Sequence, residues 1–127
     1  MIERIVVSQR AKEQLLLLKR KTAIKHWNVL CRWALAFSLA DGAKVSTKSH
    51  PADSSLEMSW RTFSGDFGEV FVAVLEARCR SEGIEPTPGN LNRVFRAHLH
   101  RGIGMLAAKT DLSDVRGLFG RADRAGV

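Results

Sequence analysis

The sequence predicts a single, mainly α-helical domain that opens with a short β-strand and assembles into an oligomer. Apolar residues recur at spacings of three and four over most of the chain, which is typical of amphipathic helices. The stretch "IERIVVS" at residues 2–8 is rich in β-branched residues, which favours a short strand. A length of 127 residues allows one hydrophobic core and leaves little room for another, so residues 1–127 are predicted to form one domain.

The first helix is predicted over about residues 9–21, because Ser8 is a good N-cap residue. Four consecutive leucines lie within it, at residues 15–18. Successive helical residues point about 100° apart, so these leucines surround the helix instead of lining one face. A small monomer would struggle to cover all of them, so we expect a homo-oligomer.

The second helix is predicted over about residues 25–41, where the apolar residues follow helical spacing and Gly42 provides a stop. Its first residues would be Lys25 and His26, although positive charge is unfavourable at a helix start. Thr22 is the only candidate for a cap.

The rest of the chain is predicted to contain an exposed loop and further helices. Residues 42–55 are rich in turn formers and lack a periodic apolar pattern, which indicates a loop. Residues 56–63 are compatible with a short strand or an irregular packed segment. An amphipathic helix is predicted at residues 66–80, and a second one from its cap Asn90 to about residue 106. A short last helix follows at residues 113–119, and residues 120–127 are predicted to be a frayed tail.

Positive charge is concentrated in the N-terminal third. Twenty basic and thirteen acidic residues give a formal net charge of +7. Eight basic and two acidic residues lie within residues 1–40, so 8 − 2 = 6 of that charge falls there. Any contact with DNA, RNA or an anionic membrane is therefore expected in this part of the chain.

The cationic cluster at residues 19–25 has two interpretations. Residues 19–21 fall in the last turn of the first helix, where positive charge complements the helix dipole, so a solvated helix end explains them as well as an anion site. Lys25 stands beside amides that no good cap residue satisfies, which favours a phosphate site at the start of the second helix.

No catalytic, cofactor or metal motif is visible in the sequence. Cys31 and Cys79 lie in apolar helical patterns without a CxxC spacing, which favours reduced, buried thiols. His98 and His100 are two residues apart on a predicted helix and point about 200° apart, so they cannot chelate one ion. A Gly-rich phosphate loop, an HExxH pattern and a nucleophile elbow are also lacking. We predict no enzymatic activity, no cofactor and no metal.

Helical spacing also sorts the aromatic and basic residues by face. His98 falls on the apolar face of its helix and is predicted to lie in the core. Arg93, Arg96 and His100 share the opposite face, with Arg101 nearby. They form a secondary basic stripe, which a solvated face explains at least as well. Trp27 falls on the apolar stripe of the second helix, which favours burial over stacking on nucleobases.

The N-terminus lacks a signal-peptide pattern, and the four leucines are too few to span a bilayer. We therefore expect a soluble cytoplasmic protein without membrane contact.

Three segments resemble one known family. They are "VSQRAKEQLLLLKRKTAIKHWNVLCRWALAFSLA" at residues 7–40, "EMSW" at residues 57–60 and "HLHRGIGMLA" at residues 98–107. Together and in this order they resemble the DNA sulfur modification protein DndE family, over most of the chain.

The resemblance implies a role in a bacterial system that replaces a non-bridging oxygen of the DNA backbone with sulfur. The other components of such systems are a cysteine desulfurase, an iron-sulfur protein and an ATPase-like protein. The family implies a small, non-enzymatic, tetrameric protein that binds duplex DNA, favours nicked duplex and associates with the nucleoid through it. The cations of the shared segment that would form its DNA-binding surface are Lys12, Lys19, Arg20, Lys21 and Lys25.

The chain departs from the lysine-rich surface of that family in its composition. It has seven lysines and thirteen arginines. Arg10 and Arg32 are therefore candidates to stand at lysine positions of the family.

Two alternatives remain at this stage. The strand-helix-helix order of residues 2–41 also resembles a ribbon-helix-helix module, in which paired N-terminal strands read bases. That alternative predicts a dimeric transcriptional regulator with Arg4 and Ser8 as the base-reading side chains. The other alternative is a structural scaffold for the sulfur-modifying enzymes, which needs no DNA affinity of its own.

Overall fold

The computed structural model describes residues 2–46 and 48–109. Within these ranges the chain forms two strands, five α-helices and a 3₁₀ turn at Gly65–Phe67. The other bounds are β1 Arg4–Val6, α1 Gln9–Thr22, α2 Trp27–Asp41, β2 Glu57–Ser59, α3 Trp60–Ser64, α4 Gly68–Ser81 and α5 Pro88–Ala107. The predicted fold class, mainly α with a short N-terminal strand, is confirmed. The short helix and the tail predicted at residues 113–127 lie outside the described residues.

The N-terminal strand pairs within its own chain. β1 runs antiparallel to β2, with Arg4 opposite Ser59 and Val6 opposite Glu57. An ion pair between Arg4 and Glu57 joins the same two strands. A ribbon-helix-helix module needs its strand to pair with that of a second chain and its base-reading side chains to be free. Neither condition is met here, so the likeness ends at the order of elements.

The first helix begins and packs as its sequence pattern predicts. The Ser8 hydroxyl accepts a hydrogen bond from the Ala11 amide at 3.1 Å, which caps α1. Leu15 and Leu18 are fully buried within the chain, whereas Leu16 is 42% exposed. The chain itself thus buries two of the four leucines and leaves Leu16 exposed at the surface.

Thr22 closes α1 instead of capping α2. Its hydroxyl donates to the Leu18 carbonyl at 2.6 Å and accepts from the Ile24 amide at 3.3 Å. The only candidate for a cap is thus engaged at the end of its own helix and does not cap α2.

The connection after α1 delays the start of α2 by two residues. Ala23 adopts a left-handed conformation with φ of 62°, and Ile24 is buried in the core. Lys25 and His26 therefore lie in the connection, and α2 begins at Trp27 with His26 at the N-cap position. The left-handed alanine costs about 1 kcal/mol, which the burial of Ile24 offsets.

The core forms where α2 crosses α5 and where α3 packs on both. Gly102 of α5 lies against the backbone of α2, where an added Cβ would come within 1.7 Å of the Ala34 carbonyl oxygen. Trp60, Phe63 and Phe95 meet in one aromatic cluster, with ring centroids 5.2–5.4 Å apart. The segment at residues 56–63 contributes to this cluster through β2 and α3.

The last described helix starts before its predicted cap. The Thr87 hydroxyl accepts from the Asn90 amide at 3.2 Å, and Pro88 occupies the first turn. Asn90 is therefore inside α5, because proline fits the first helical position and the threonine before it supplies the cap.

The described part of the loop at residues 42–55 contains no helix or strand, as predicted, but it folds back over α5. The Arg96 guanidinium donates to the carbonyls of Val6, His50 and Pro51. The His50 ring stacks on His100 with centroids 4.3 Å apart. The expected solvated face of α5 is thus wrong at Arg96 and His100, because the loop covers them. His98 lies in the core as predicted.

Candidate nucleic-acid interface

The cations predicted to bind DNA fall into two classes of exposure. Those with exposed side chains are Arg10, Arg20, Lys21 and Lys25, and those that are half-buried are Lys12, Lys19 and Arg32. The first class lies on α1 and in the connection that follows it. We call these four residues the α1 cations.

The side chains of the α1 cations form no hydrogen bond or ion pair with any residue in the described ranges. Arg10 and Lys21 are eleven residues apart, so they share one side of α1 and stand roughly 16 Å apart along its axis. Duplex DNA of that length carries on the order of ten phosphates. A row of cations of this kind can contact the DNA backbone without reading base edges.

Lys19 links the end of α1 to the start of α2. Its Nζ lies 4.3 Å from the centroid of the Trp27 ring, at a distance typical of a cation–π contact. The contact fixes the ammonium group but leaves its charge at the surface. Trp27 is half-buried and packs against the core.

Lys12 is tied to the loop. Its Nζ donates to the Ser55 hydroxyl, while the Asp53 carboxylate accepts from the Gln9 amide at the start of α1. These bonds hold the end of the loop against the first turn of the helix. Lys12 is therefore partly engaged within the chain.

The start of α2 has the free amides that the sequence predicts, although two residues later. His26 occupies the N-cap position without a side-chain hydrogen bond to the helix. The amides of residues 27–29 therefore lack a capping side chain, and the positive end of the helix dipole adds to their effect. Lys25 directly precedes this helix end, so one phosphate can meet both charge and amide donors.

Arg32 serves the fold. Its guanidinium donates to the carbonyls of Phe63 and Thr62, and it lies beside Gly65. These contacts hold α3 against α2. Arg32 therefore donates hydrogen bonds to backbone carbonyls and is not one of the α1 cations.

Arginine binding to carbonyl groups is the feature that sequence reasoning missed. Arg101 donates to the Ser38 hydroxyl at 2.8 Å and to the Ser38 carbonyl at 2.6 Å, which covers the end of α2. The Ser38 hydroxyl also bonds His98 Nδ1 at 2.8 Å. Burial, with help from nearby Arg101, lowers the pKa of His98 to about 4. The buried ring is therefore neutral at pH 7 and part of the core.

The two thiols are buried, as predicted. Burial raises the pKa of Cys31 to about 12 and also raises that of Cys79. A protonated thiol is a poor nucleophile. Among the described residues, no group of three or more His, Cys, Asp or Glu side chains is arranged to hold a metal ion. None of the helices in the same ranges is both long and apolar enough to cross a membrane.

Several solved chains resemble this one, including the following two. The crystal structure of DndE from Escherichia coli B7A, involved in DNA phosphorothioation modification, is 26% identical with a TM-score of 0.69. The match covers 84% of this chain and 98% of that one. A double variant of DndE with two glycines replaced by lysine is 23% identical with a TM-score of 0.65, over 86% and 100% of the two chains, and shows the same fold.

No curated protein matches the chain at a significant level. The family model for the DNA sulphur modification protein DndE matches residues 4–114. Because this match spans most of the sequence, the chain belongs to the DndE family.

Proposed function

We propose that this protein is a non-enzymatic DNA-binding subunit of a bacterial DNA phosphorothioation machinery. It acts as a homo-oligomer, a tetramer, on duplex DNA that carries a nick, and it works in the cytoplasm at the nucleoid. Membership of the DndE family supports the link to sulfur modification, because the related crystal structure is of a protein involved in that process. Its partners are duplex DNA and the other components of the modification system.

The observation that carries the DNA-binding proposal is the set of α1 cations beside the uncapped start of α2. Arg10, Arg20, Lys21 and Lys25 are exposed and unpaired within the described part of the chain. Exposed cations that span several phosphates give affinity through the release of counterions, and this affinity depends little on base sequence. Lys12 and Lys19 add charge along the same helix.

A preference for nicked duplex is expected of an oligomer in which each subunit presents its own α1 cations. An intact duplex resists bending, whereas a nick interrupts one strand and makes a bend easier. DNA that bends at the nick can contact the α1 cations of more than one subunit. The preference is thus a matter of DNA deformability and requires no base contact.

The non-enzymatic role is supported by the state of the two thiols. Cys31 is fully buried with its pKa raised to about 12, and burial also raises the pKa of Cys79. Sulfur transfer through cysteine needs an accessible thiolate. We therefore assign the chemistry to other components of the machinery.

The test is a binding titration on intact, nicked and single-stranded DNA at several salt concentrations. We expect the log of the binding constant to fall linearly with the log of salt concentration. Lys25→Ala should lower the steepness of this fall by about one unit for each phosphate that the lysine no longer neutralises. Lys48→Ala, an exposed lysine in the loop, is the matched control and should leave the slope unchanged.

Three results would count against the proposal in different ways. Unchanged affinity and slope in Lys25→Ala would remove Lys25 from the interface. The absence of DNA affinity at low salt would favour the scaffold alternative. A persulfide trapped on Cys31 or Cys79 during turnover would overturn the non-enzymatic role.

A further inference from the structure

The outer face of α4 is apolar and uncovered. Phe67, Val70 and Val74 are 60%, 58% and 42% exposed, and they are three of the four large hydrophobic residues exposed in the described ranges. Ala77 and Ser81 are exposed and continue the row, so that the spacing alternates between three and four residues. This is the spacing of a two-helix seam. Phe67 ends the 3₁₀ turn that leads directly into α4, and the other four residues lie on the helix itself. We call these five residues the α4 seam.

We propose that the α4 seam binds the α4 seam of a second copy of this chain, with the two helices antiparallel about a twofold axis. The proposal deepens the homo-oligomer of the proposed function by naming its interface. A twofold interface uses the same surface on both copies, so the surface must complement itself. The α4 seam meets this requirement in both size and charge.

Size is complementary along the seam. An antiparallel pairing centred between Val70 and Val74 places Val70 of one copy opposite Val74 of the other. The same register places Phe67, the largest residue of the seam, opposite Ala77, one of the smallest. Large side chains opposite small ones allow the two helices to interdigitate.

Charge is complementary beside the seam. Asp66 lies in the 3₁₀ turn just before α4. Extending the same register into this turn brings Asp66 of one copy near Arg80 of the other, and the twofold axis generates this pair twice. Arg80 is exposed and bonds only Glu76 among the described residues, at 3.4 Å and one helical turn away. Such a surface ion pair contributes little, so Arg80 can exchange it for Asp66 of the second copy. Ala73 lies at the axis, where its small side chain permits a close approach.

The position of the leucines supports the choice of a second copy. Leu15 and Leu18 of α1 are covered inside the chain, so they offer no interface. The α4 seam lies on a different helix from the α1 cations, and association through it leaves them available for DNA. Continuous apolar surface on a helix of a soluble protein marks an interaction site more often than it remains exposed.

The first test compares Val70→Glu with Leu16→Glu by sedimentation of the full chain at micromolar concentrations. Both positions are exposed on helices, so both variants should keep the helical content of the unmodified protein, as circular dichroism will show. We expect Val70→Glu to weaken self-association about tenfold or more, because it buries two charges at the centre of the seam. Leu16→Glu should associate like the unmodified protein.

The second test reverses the charges beside the seam. Asp66→Arg alone and Arg80→Glu alone each place like charges together and should weaken association. The double variant restores opposite charges and should recover it. Recovery depends on the antiparallel register, because a parallel pairing does not bring these two residues together.

The third test uses Ala73→Cys at the proposed axis. Mild oxidation should link two copies through this cysteine, whereas Ala77→Cys, one turn away, faces Phe67 and should link poorly. A monomeric unmodified protein would overturn both the homo-oligomer and the interface. An assembly of unchanged size and affinity in Val70→Glu, or one that Leu16→Glu dissociates, would overturn the interface alone.

Discussion

Several arginines of this molecule serve the fold, whereas Arg10 and Arg20 are exposed among the α1 cations. The guanidinium groups of Arg32, Arg96 and Arg101 donate to backbone carbonyls from distant parts of the chain. A planar group with five donors suits this task, whereas an ammonium group on a flexible stem suits contact with phosphate as a point charge. The thirteen arginines therefore overstate the number of cations that are free to bind DNA.

The buried histidines predict that the fold is sensitive to acid. Burial is the main cause that lowers the pKa of both His98 and His100 to about 4, from the ordinary value of 6.5. The unfolded chain thus takes up protons first as the pH falls, and the folded state loses relative stability between pH 6.5 and about 4. We expect the free energy of unfolding to fall by roughly 2–3 kcal/mol for each histidine across this window.

His100 offers the sharper measurement of this effect. Its Nε2 accepts from the Ser8 amide at 3.2 Å, so protonation would place two donors face to face at the cap of α1. His100→Gln keeps an acceptor but does not titrate, so urea denaturation from pH 7.5 to 4.5 should show a shallower loss of stability. His26→Gln, at an exposed position, is the control. An equal pH dependence in His100→Gln and the unmodified protein would contradict this account.

At the scale of elements, the tightest contact is the crossing of α2 and α5. Gly102→Ala should destabilise the protein by about 3 kcal/mol or more, because the added methyl group meets the Ala34 backbone and the helices must separate. Gly104→Ala is the matched control on the same helix, since nothing lies within 4 Å of its added methyl group. That variant should gain up to about 1 kcal/mol from helix propensity. Thermal unfolding of the two variants checks the prediction, and equal midpoints would contradict it.

The sequence predicts the helices well because their burial follows a regular spacing. Leu15 and Leu18 are buried at helical spacing, and Ser8 caps α1 as its residue type suggests. The predicted start of α2 is two residues early and the predicted cap at Asn90 is wrong, because each stands near two possible boundaries. The burial of Ile24 and the ring of Pro88 decide those boundaries, and neither effect is visible in the periodicity.

Long-range contacts explain the other differences. The pairing of β1 with β2 joins segments about fifty residues apart, and no local pattern specifies it. The loop that covers His100 has turn-forming residues typical of an exposed segment. Contacts with distant residues hold it down, among them the bonds from Arg96 and Arg101 to its carbonyl groups. The exposed α1 cations follow from charge and helical phase, whereas the internal role of Arg32 depends on where α3 packs.

At the scale of the whole molecule, the DNA surface and the α4 seam lie on different helices, so their effects can be separated. Each subunit offers four α1 cations. If every one of them contacts a phosphate, the log of the DNA-binding constant should fall with the log of salt concentration with a slope of roughly −3.6. Two subunits bound to one DNA molecule would double that slope. The slope thus reports how many subunits share the DNA.

This separation gives a prediction that joins both proposals. In the unmodified protein, Lys25→Ala removes one phosphate-binding charge from each subunit, so the slope should become shallower by about two units for every pair of subunits on the DNA. In the Val70→Glu background the two copies that meet through α4 separate, so the same lysine substitution should change the slope by about half as much. Salt titrations of the four proteins on nicked duplex provide the measurement. An identical change in both backgrounds would mean that association through α4 does not bring two DNA surfaces onto one duplex.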